Sequence, residues 1–597
     1  MHRLHPVKKK PTKDIKKSKN SNSKISKLFA GFKNQGFLTG AITLAAAGII
    51  CRLLGIAFRI PLANIIQNYG MGLYQMVFPL YALLLVISSA GIPIAISKLI
   101  AQRDAGPNMR EDSLEKIKNS ANKKDSNKKT NTRKDISTCT KHSGKKCYPA
   151  NQILANSLVL LGGLGLVIST ALIGLAHPIA KLQGNPDIAK IYMAIAPAIF
   201  FVCLIAAFRG YFQGLRNMIP TASSQIVEQV VKVGAGLTLA ITLHRFGVYW
   251  AVFGAILAVT ISEVLALGYL VVVYLVHKKR TGRLTVTPTH EKPSDYQSND
   301  SRTKSSRYIS WSLIWLIIKK SFPITLMASV FPLILVFDSL VVVRMLTDLD
   351  TSSTIATQLY GISSGTVHTL INMPAILGIA IGTAVVPMTA ALLKKGDTEQ
   401  FKKKSALAIK LGLVITAFFA LFYIAFARQI ILVLYESAFR DNPTQLQTAT
   451  NLLKIESAMI LLMGLSQILT SMLQGAGRAK WPLIAILIGG TAKIAFQMSL
   501  IRTGLGIYAV SIGNVICFGV VLALNIIFVA KFLKLRPAFT HSVWKLGLIF
   551  LGLSGILVGL MFGLPDNKWW VILSGFIAVS LYALSIWLLR VFNPRKQ

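Results

Sequence analysis

Long apolar runs recur from residue 36 almost to the end of this 597-residue chain. About 20 consecutive apolar residues suffice for a helix to cross the hydrocarbon core of a bilayer. In lipid only helices and closed barrels satisfy their backbone hydrogen bonds, and barrel strands would appear as short alternating segments, which this sequence lacks. A mean hydropathy of +0.56 agrees with this reading. We therefore predict an all-α polytopic membrane protein.

The apolar runs predict about 14 transmembrane helices. They cover residues 36–60, 72–101, 152–175, 188–208, 220–243, 248–276, 313–346, 357–392, 405–427, 452–473, 482–501, 506–530, 542–563 and 568–590.

The formal net charge of +43 resides mainly in the polar segments between these runs, as in KKKPTKDIKKSK, NKKDSNKKTNTRK and HKKRTGR. In a soluble protein this charge would indicate nucleic-acid binding, but in a membrane protein it marks cytoplasmic loops. Every second loop is rich in Lys and Arg, so both termini are predicted to be cytoplasmic. We expect the basic loops to attract anionic lipid headgroups, and we expect no nucleic-acid partner.

An internal repeat divides the chain. FQGLRNMIPTASSQIVEQVVK begins at Phe212 and LQGAGRAKWPLIAILIGGTAK begins at Leu473, and in both a Gln-Gly pair precedes a Pro and then a Lys. The offset relates spans 1–6 to spans 7–12, which predicts two six-helix lobes around a pseudo-two-fold axis along the membrane normal, plus two C-terminal helices. The predicted regions are a basic tail (1–35), an N-lobe (36–276) with a disordered basic loop (103–150), a linker (277–312), a C-lobe (313–530) and spans 13–14 with a short tail (531–597).

Charged residues inside predicted spans are the best pointers to function, because each is costly in lipid. Arg52 and Arg59 lie seven residues apart and so share one helix face. This stripe predicts an anionic partner or a water-filled cavity. Arg59 and Arg344 lie near the predicted outer ends of their spans, where snorkelling to the interface is the alternative.

Five further positions are candidates for the substrate or ion path. Glu228 and Lys232 lie one turn apart and predict either a structural ion pair or part of that path. Lys493 is the equivalent of Lys232 in the repeat. Asp338 and Glu263, with Glu228, are the candidates for coupling to a proton or sodium gradient, and the membrane potential is a further driving force. Gly91, Pro93, Pro374 and Pro387 are expected to bend spans 2 and 8 and to assist gating.

Nothing in the sequence indicates an enzyme, a metal site or a bound cofactor. The five cysteines have no disulfide-like pattern, and CTKHSGKKC lacks further metal ligands. Phosphate-binding and zinc-protease motifs are absent. A membrane glycosyltransferase or polymerase and a non-transporting scaffold remain the rival classes, although short external loops argue against the first and an inward charged stripe against the second.

CRLLGIAFRIPL and GMGLYQMVFPLYALLLVISSAGIPIAISKLIAQ resemble the first two spans of the Gram-positive lipid II flippase and stage V sporulation protein B group. This group belongs to the multidrug/oligosaccharidyl-lipid/polysaccharide exporter superfamily. ILGIAIGTAVVP and LQGAGRAKWP are similar to second-half signatures of the superfamily. The resemblance extends over residues 36–530.

The resemblance implies a bacterial plasma-membrane flippase that moves lipid II through a cationic cavity by alternating access. We expect a monomer, although the sequence has no feature that fixes the oligomeric state. Arg52 matches a functional arginine of the group, and Arg59 matches a second with a one-residue displacement. Thr369 and Asn372 stand where the Gram-negative branch has Arg and Glu, so Asp338 and Arg344 are the proposed substitutes. Export of another undecaprenyl-linked glycan and multidrug–cation antiport are the alternatives within transporters.

Overall fold

The computed structural model describes residues 36–101, 148–284 and 309–535, together with 577, 580–582 and 584. The described part is almost entirely helical. Its helices are α1 (Gly36–Ser89), α2 (92–101), α3 (Ala150–Gly174), α4 (Ala176–Leu182), α5 (Ile188–Gly214), α6 (Ile219–His244), α7 (Val248–Leu284), α8 (Trp311–Thr347), α9 (Ser353–Tyr360), α10 (His368–Lys395), α11 (Thr398–Ala425), α12 (Ala427–Leu434), α13 (Glu436–Phe439), α14 (Pro443–Gly475), α15 (Lys480–Leu500) and α16 (Tyr508–Leu533).

Within the described residues, 11 helices are long and apolar enough to cross a membrane. The first of them, Thr43–Ala101, contains predicted spans 1 and 2, and the others correspond in order to spans 3–12. The all-α polytopic membrane fold is thereby confirmed. Predicted spans 13 and 14, apart from a few positions, and most of the basic loops lie outside the described residues.

Helix α1 reverses direction within the sequence NIIQNYG. Gln67 adopts φ 55°, ψ −173° and interrupts the helical backbone between the first two spans. A positive φ is uncommon for a residue with a side chain, so tertiary contacts must hold this turn in place. A second break, at Ala90–Gly91, separates α1 from α2.

Several helices differ from the hydropathy-based prediction, among them α14, which begins at Pro443 and not at the predicted residue 452. Helix α7 continues to Leu284, past the predicted end at residue 276. The added sequence, HKKRTGRL, contains Lys and Arg, which are good helix formers in water. A π-helical segment, Gly361–Val367, joins α9 to α10 within predicted span 8. Hydropathy reveals neither feature, because it reports only the length of each apolar run.

The helices form two halves, which we call the N-half (α1–α7) and the C-half (α8–α16). Within each half the helices pack extensively on one another, as in the pairs α6–α7 and α15–α16. Contacts between the halves are made mainly by α1 with α8, α9, the π-helical segment and α13. The two interfaces that α1 shares with α8 and with the π-helical segment therefore place predicted spans 1, 2, 7 and 8 at the centre of the molecule.

Candidate functional site

The two halves meet through a set of polar contacts at the end that carries the lysine-poor loops, which we call the outer end. The Asn64 side-chain amide donates to the carbonyl of Leu434 (2.7 Å), and that of Asn68 donates to the carbonyl of Ala438 (3.0 Å) and to Gln445 Oε1 (2.7 Å). These bonds attach the α1 turn to α12–α14 and explain how the strained Gln67 backbone is held.

The loop after α4 adds a second set of bonds at the same end. Buried Gln183 donates from Nε2 to the carbonyls of Met76 (3.0 Å) and Ser339 (2.9 Å), which belong to different halves. Ser353 donates to the carbonyl of Gly184 (2.9 Å). The outer end is therefore closed in this structure.

Glycines allow the two backbones to approach at this closure. A Cβ added to Gly72 would overlap the carbonyl oxygen of Thr357, and one added to Gly361 would overlap the carbonyl oxygen of Asn68.

At the opposite end, α8 contacts the N-half through a bond from the Ser310 amide to Asn156 Oδ1 (2.7 Å).

Arg59 lies between the halves, just below this closure. Its Nη1 donates to Thr369 Oγ1 of α10 (3.4 Å), and its guanidinium carbon lies 5.8 Å from the centre of the Phe78 ring. Tyr435 is buried and lies within electrostatic range of Arg59. Burial raises the pKa of the Tyr435 phenol, which therefore stays neutral. Among the described acidic residues none forms an ion pair with Arg59.

Arg52 lies two turns from Arg59 on the same face of α1, about 10 Å farther from the outer end. Its side chain is exposed, and it makes no ion pair with a described residue. The adjacent Cys51 lies within electrostatic range of Glu228, Lys232 and Arg209. Together the two arginines form the cationic stripe that the sequence predicts.

The N-half contains a cluster of charges that is partly buried. Glu228 Oε2 accepts from Arg209 Nη2 at 2.9 Å, and its Oε1 lies 3.5 Å from Lys232 Nζ, so the predicted one-turn pair is present. Arg209 also donates to Ser224 Oγ (3.0 Å). Glu263, only 2% exposed, lies beside Glu228 and Lys232. With Glu228 and Glu263 both ionised, their negative charges balance the positive charges of Arg209 and Lys232.

The C-half contains a second buried pair. Lys493 Nζ donates to Asp338 Oδ2, and Gln497 Nε2 donates to Asp338 Oδ1 (3.1 Å). Asp338 is 5% exposed and Lys493 2%. The structure thus places these two candidates against each other inside one half, where their charges offset.

Arg344 lies apart from the arginine stripe. It lines a cavity of about 530 Å³ at the outer end with Lys181, Gly184 and Asp348. This cavity has walls from both halves.

The four predicted bending residues lie on helices that carry the contacts between halves or their neighbours. Gly91 marks the break between α1 and α2, and a Cβ there would overlap the Ser321 carbonyl oxygen of α8. Pro93 packs against Gly210 of α5. Helix α10 runs through Pro374 and Pro387. Their part in gating stays a prediction.

Sequence reasoning passed over His368 and Glu456, which lie inside predicted spans 8 and 10, and Arg209, one residue past the end of predicted span 4. Glu456 is fully buried and accepts from Ser511 Oγ (2.8 Å) and Asn514 Nδ2 (3.2 Å) through Oε1, while its Oε2 lies 3.8 Å from His368 Nδ1. The signal that identified the other candidates, an ionisable side chain inside an apolar run, would have found them too.

A bundle of membrane-crossing helices in two halves that meet around central polar groups is the architecture of a multi-pass membrane transporter. The model of the polysaccharide biosynthesis protein family matches residues 37–121 and 142–393, more than half of the chain, and the MatE model matches residues 323–498. The chain belongs to the polysaccharide biosynthesis protein family. The predicted membership of the exporter superfamily is confirmed.

Similarity to individual proteins extends over most of the chain. Stage V sporulation protein B of Bacillus subtilis (strain 168) is 26% identical, with 94% of this chain and 96% of that protein covered. Lipid II flippase MurJ of the same organism is 22% identical, with 78% and 77% covered. A solved structure of lipid II flippase MurJ in an inward closed conformation has a TM-score of 0.59 at 13% identity and covers 91% of this chain and 98% of that one, which shows the shared fold.

Proposed function

We propose that this protein moves a polyprenyl-diphosphate-linked cell-wall precursor, lipid II, across the bacterial plasma membrane for peptidoglycan synthesis. In this proposal both termini are cytoplasmic and the protein works by alternating access. The observation that carries the proposal is the Arg52–Arg59 stripe, which has no acidic partner among the described residues and ends at the junction of the halves. Intramembrane arginines without an acidic partner mark substrate or ion pathways, and an anionic substrate would supply the missing charge.

The chemistry of arginine fits a diphosphate. The guanidinium is planar, stays charged and donates two parallel hydrogen bonds to phosphate oxygens. Arg59 would contact the diphosphate at the closed outer end, while Arg52 would meet it on entry from the opposite end. The polyprenyl tail would stay in lipid. The similarity to a lipid II flippase and to a sporulation protein supports this substrate class, and another undecaprenyl-linked glycan would use the same contacts.

Binding of purified lipid II to the protein in nanodiscs tests the proposal. A charge-assisted hydrogen bond contributes about 1.5–3 kcal/mol, so Arg52→Ala and Arg59→Ala should each weaken binding roughly 10- to 150-fold. Arg245→Ala is the matched control, because Arg245 is an exposed arginine in the turn between α6 and α7. Equal affinity of all four proteins would contradict the assigned role of the stripe.

A further inference from the structure

Two buried polar atoms that face each other lack a hydrogen-bond partner within the described residues. They are His368 Nδ1 and Glu456 Oε2, which lie 3.8 Å apart. The other carboxylate oxygen of Glu456 is fixed by donors from Ser511 and Asn514 of α16. The carboxylate is therefore held in a defined orientation with its free oxygen directed at the imidazole.

Uptake of one proton would place a hydrogen between the two atoms whichever ring nitrogen carries the hydrogen of the neutral imidazole. A buried polar atom without a partner costs about 1–3 kcal/mol, and more where the group carries a charge. A proton on the imidazole or on the carboxyl turns the gap into a charge-assisted or neutral hydrogen bond, which would be shorter than 3.8 Å. Histidine is the side chain whose charge most readily changes near neutral pH.

The position of the pair connects it to the contact between the halves. His368 is the first residue of α10 and directly follows the π-helical segment, a type of element that is frequent at functional sites. The next residue, Thr369, accepts the hydrogen bond from Arg59 of the N-half. Glu456 lies about 20 Å along α14 from its outer start, in the interior of the bundle.

The surroundings leave this pair available for a proton. The helices packed around it place Arg59 of α1 against Thr369, Tyr423 of α11 against the Leu370 carbonyl and Tyr508 of α16 against Asn451, and Tyr435 lies between α12 and α13. Lys454, two residues before Glu456 on α14, is exposed and forms no ion pair with a described residue. By contrast, Glu228 and Asp338 already have basic partners. Glu263 also has an oxygen without a partner and is the rival proton site.

We propose that His368 and Glu456 form a proton-binding site that couples proton uptake to opening of the outer end. When a proton joins the two side chains, α10 is drawn toward α14 and α16 inside the C-half. This movement takes Thr369 away from Arg59 and weakens the closure between the halves. The site is independent of the substrate assigned above.

Spin-label distances across the outer end test this site without any substrate. Labels at Arg245→Cys of the N-half and Thr444→Cys of the C-half, in a protein without its native cysteines, report opening in nanodiscs. We expect acidification from about pH 8 to about pH 5.5 to raise the population of longer distances at least about threefold in the otherwise unaltered protein. His368→Gln and Glu456→Gln should each abolish this response.

Two controls match the substitutions. His177→Gln removes an exposed histidine of α4, and Glu399→Gln removes an exposed acid at the start of α11, so both should keep the full response. Glu456→Gln retains an acceptor for Ser511 and Asn514, and partly exposed His368 provides an independent second variant. Absence of any pH response, or a full response in both pair variants, overturns the proposal. A response lost in Glu263→Gln instead would place the proton in the N-half cluster.

Discussion

At the scale of single residues, the buried pair of Lys493 and Asp338 stabilises the fold only while both partners are present. Loss of one partner leaves an uncompensated buried charge, which costs about 3–5 kcal/mol. We therefore expect Lys493→Met to lower the thermal midpoint in detergent clearly more than the double variant Asp338→Asn/Lys493→Met does. Lys402→Met, from an exposed pair with Glu399, should change it little. Equal losses in the single and double variants would contradict this reading.

Residue partners were predictable only where they are local. The Glu228–Lys232 pair follows from its spacing of one helical turn, and the structure contains it. The partner of Lys493 lies 155 residues away on α8, and Arg59 meets Thr369 across 310 residues. Such contacts depend on how whole helices pack, so no spacing rule within one segment reveals them. The roles of all these residues in transport stay predictions.

At the scale of elements, the outer-end closure depends on the absence of side chains at two glycines. Gly72→Ala and Gly361→Ala each place a methyl group where the opposing backbone lies. We expect both to shift the spin-label distances across the outer end toward opening at every pH. Gly174→Ala is the control, because a Cβ at this helical glycine of α3 would meet no atom within 4 Å. Unchanged distances in both test variants would show that the closure tolerates the added volume.

Hydropathy located the described membrane helices well, because apolar length alone determines whether a helix can cross the bilayer. It placed a turn between predicted spans 1 and 2, where Gln67 interrupts the helix, but it did not reveal the π-helical segment Gly361–Val367 or the extension of α7 to Leu284. These features arise from tertiary contacts or from polar sequence beyond the bilayer. The π-helical segment is one of the elements that form the closure, so apolar length alone did not describe the place where the halves meet.

At the scale of the whole molecule, the repeat explains why the chain forms two halves and why Lys232 and Lys493 occupy equivalent places. The two lysines nevertheless differ in their partners. Lys232 pairs with Glu228 on its own helix, whereas Lys493 pairs with Asp338 on another. Among the described residues, Arg52 and Arg59 of the α1 stripe and Arg344 at the outer-end cavity form no ion pair, and Arg59 lies between the halves. A substrate carrying a diphosphate would therefore meet its most favourable charges at the centre.

Exposure of lipid II on the outer leaflet tests the central claim most directly. The measurement uses cells in which this protein is the only flippase candidate, before and after its depletion. We predict that exposure falls within the depletion window and that wild type restores it, whereas Arg52→Ala, expressed and inserted at the same level, does not. Unchanged exposure after depletion would contradict the assignment of lipid II and direct the search to another lipid-linked glycan.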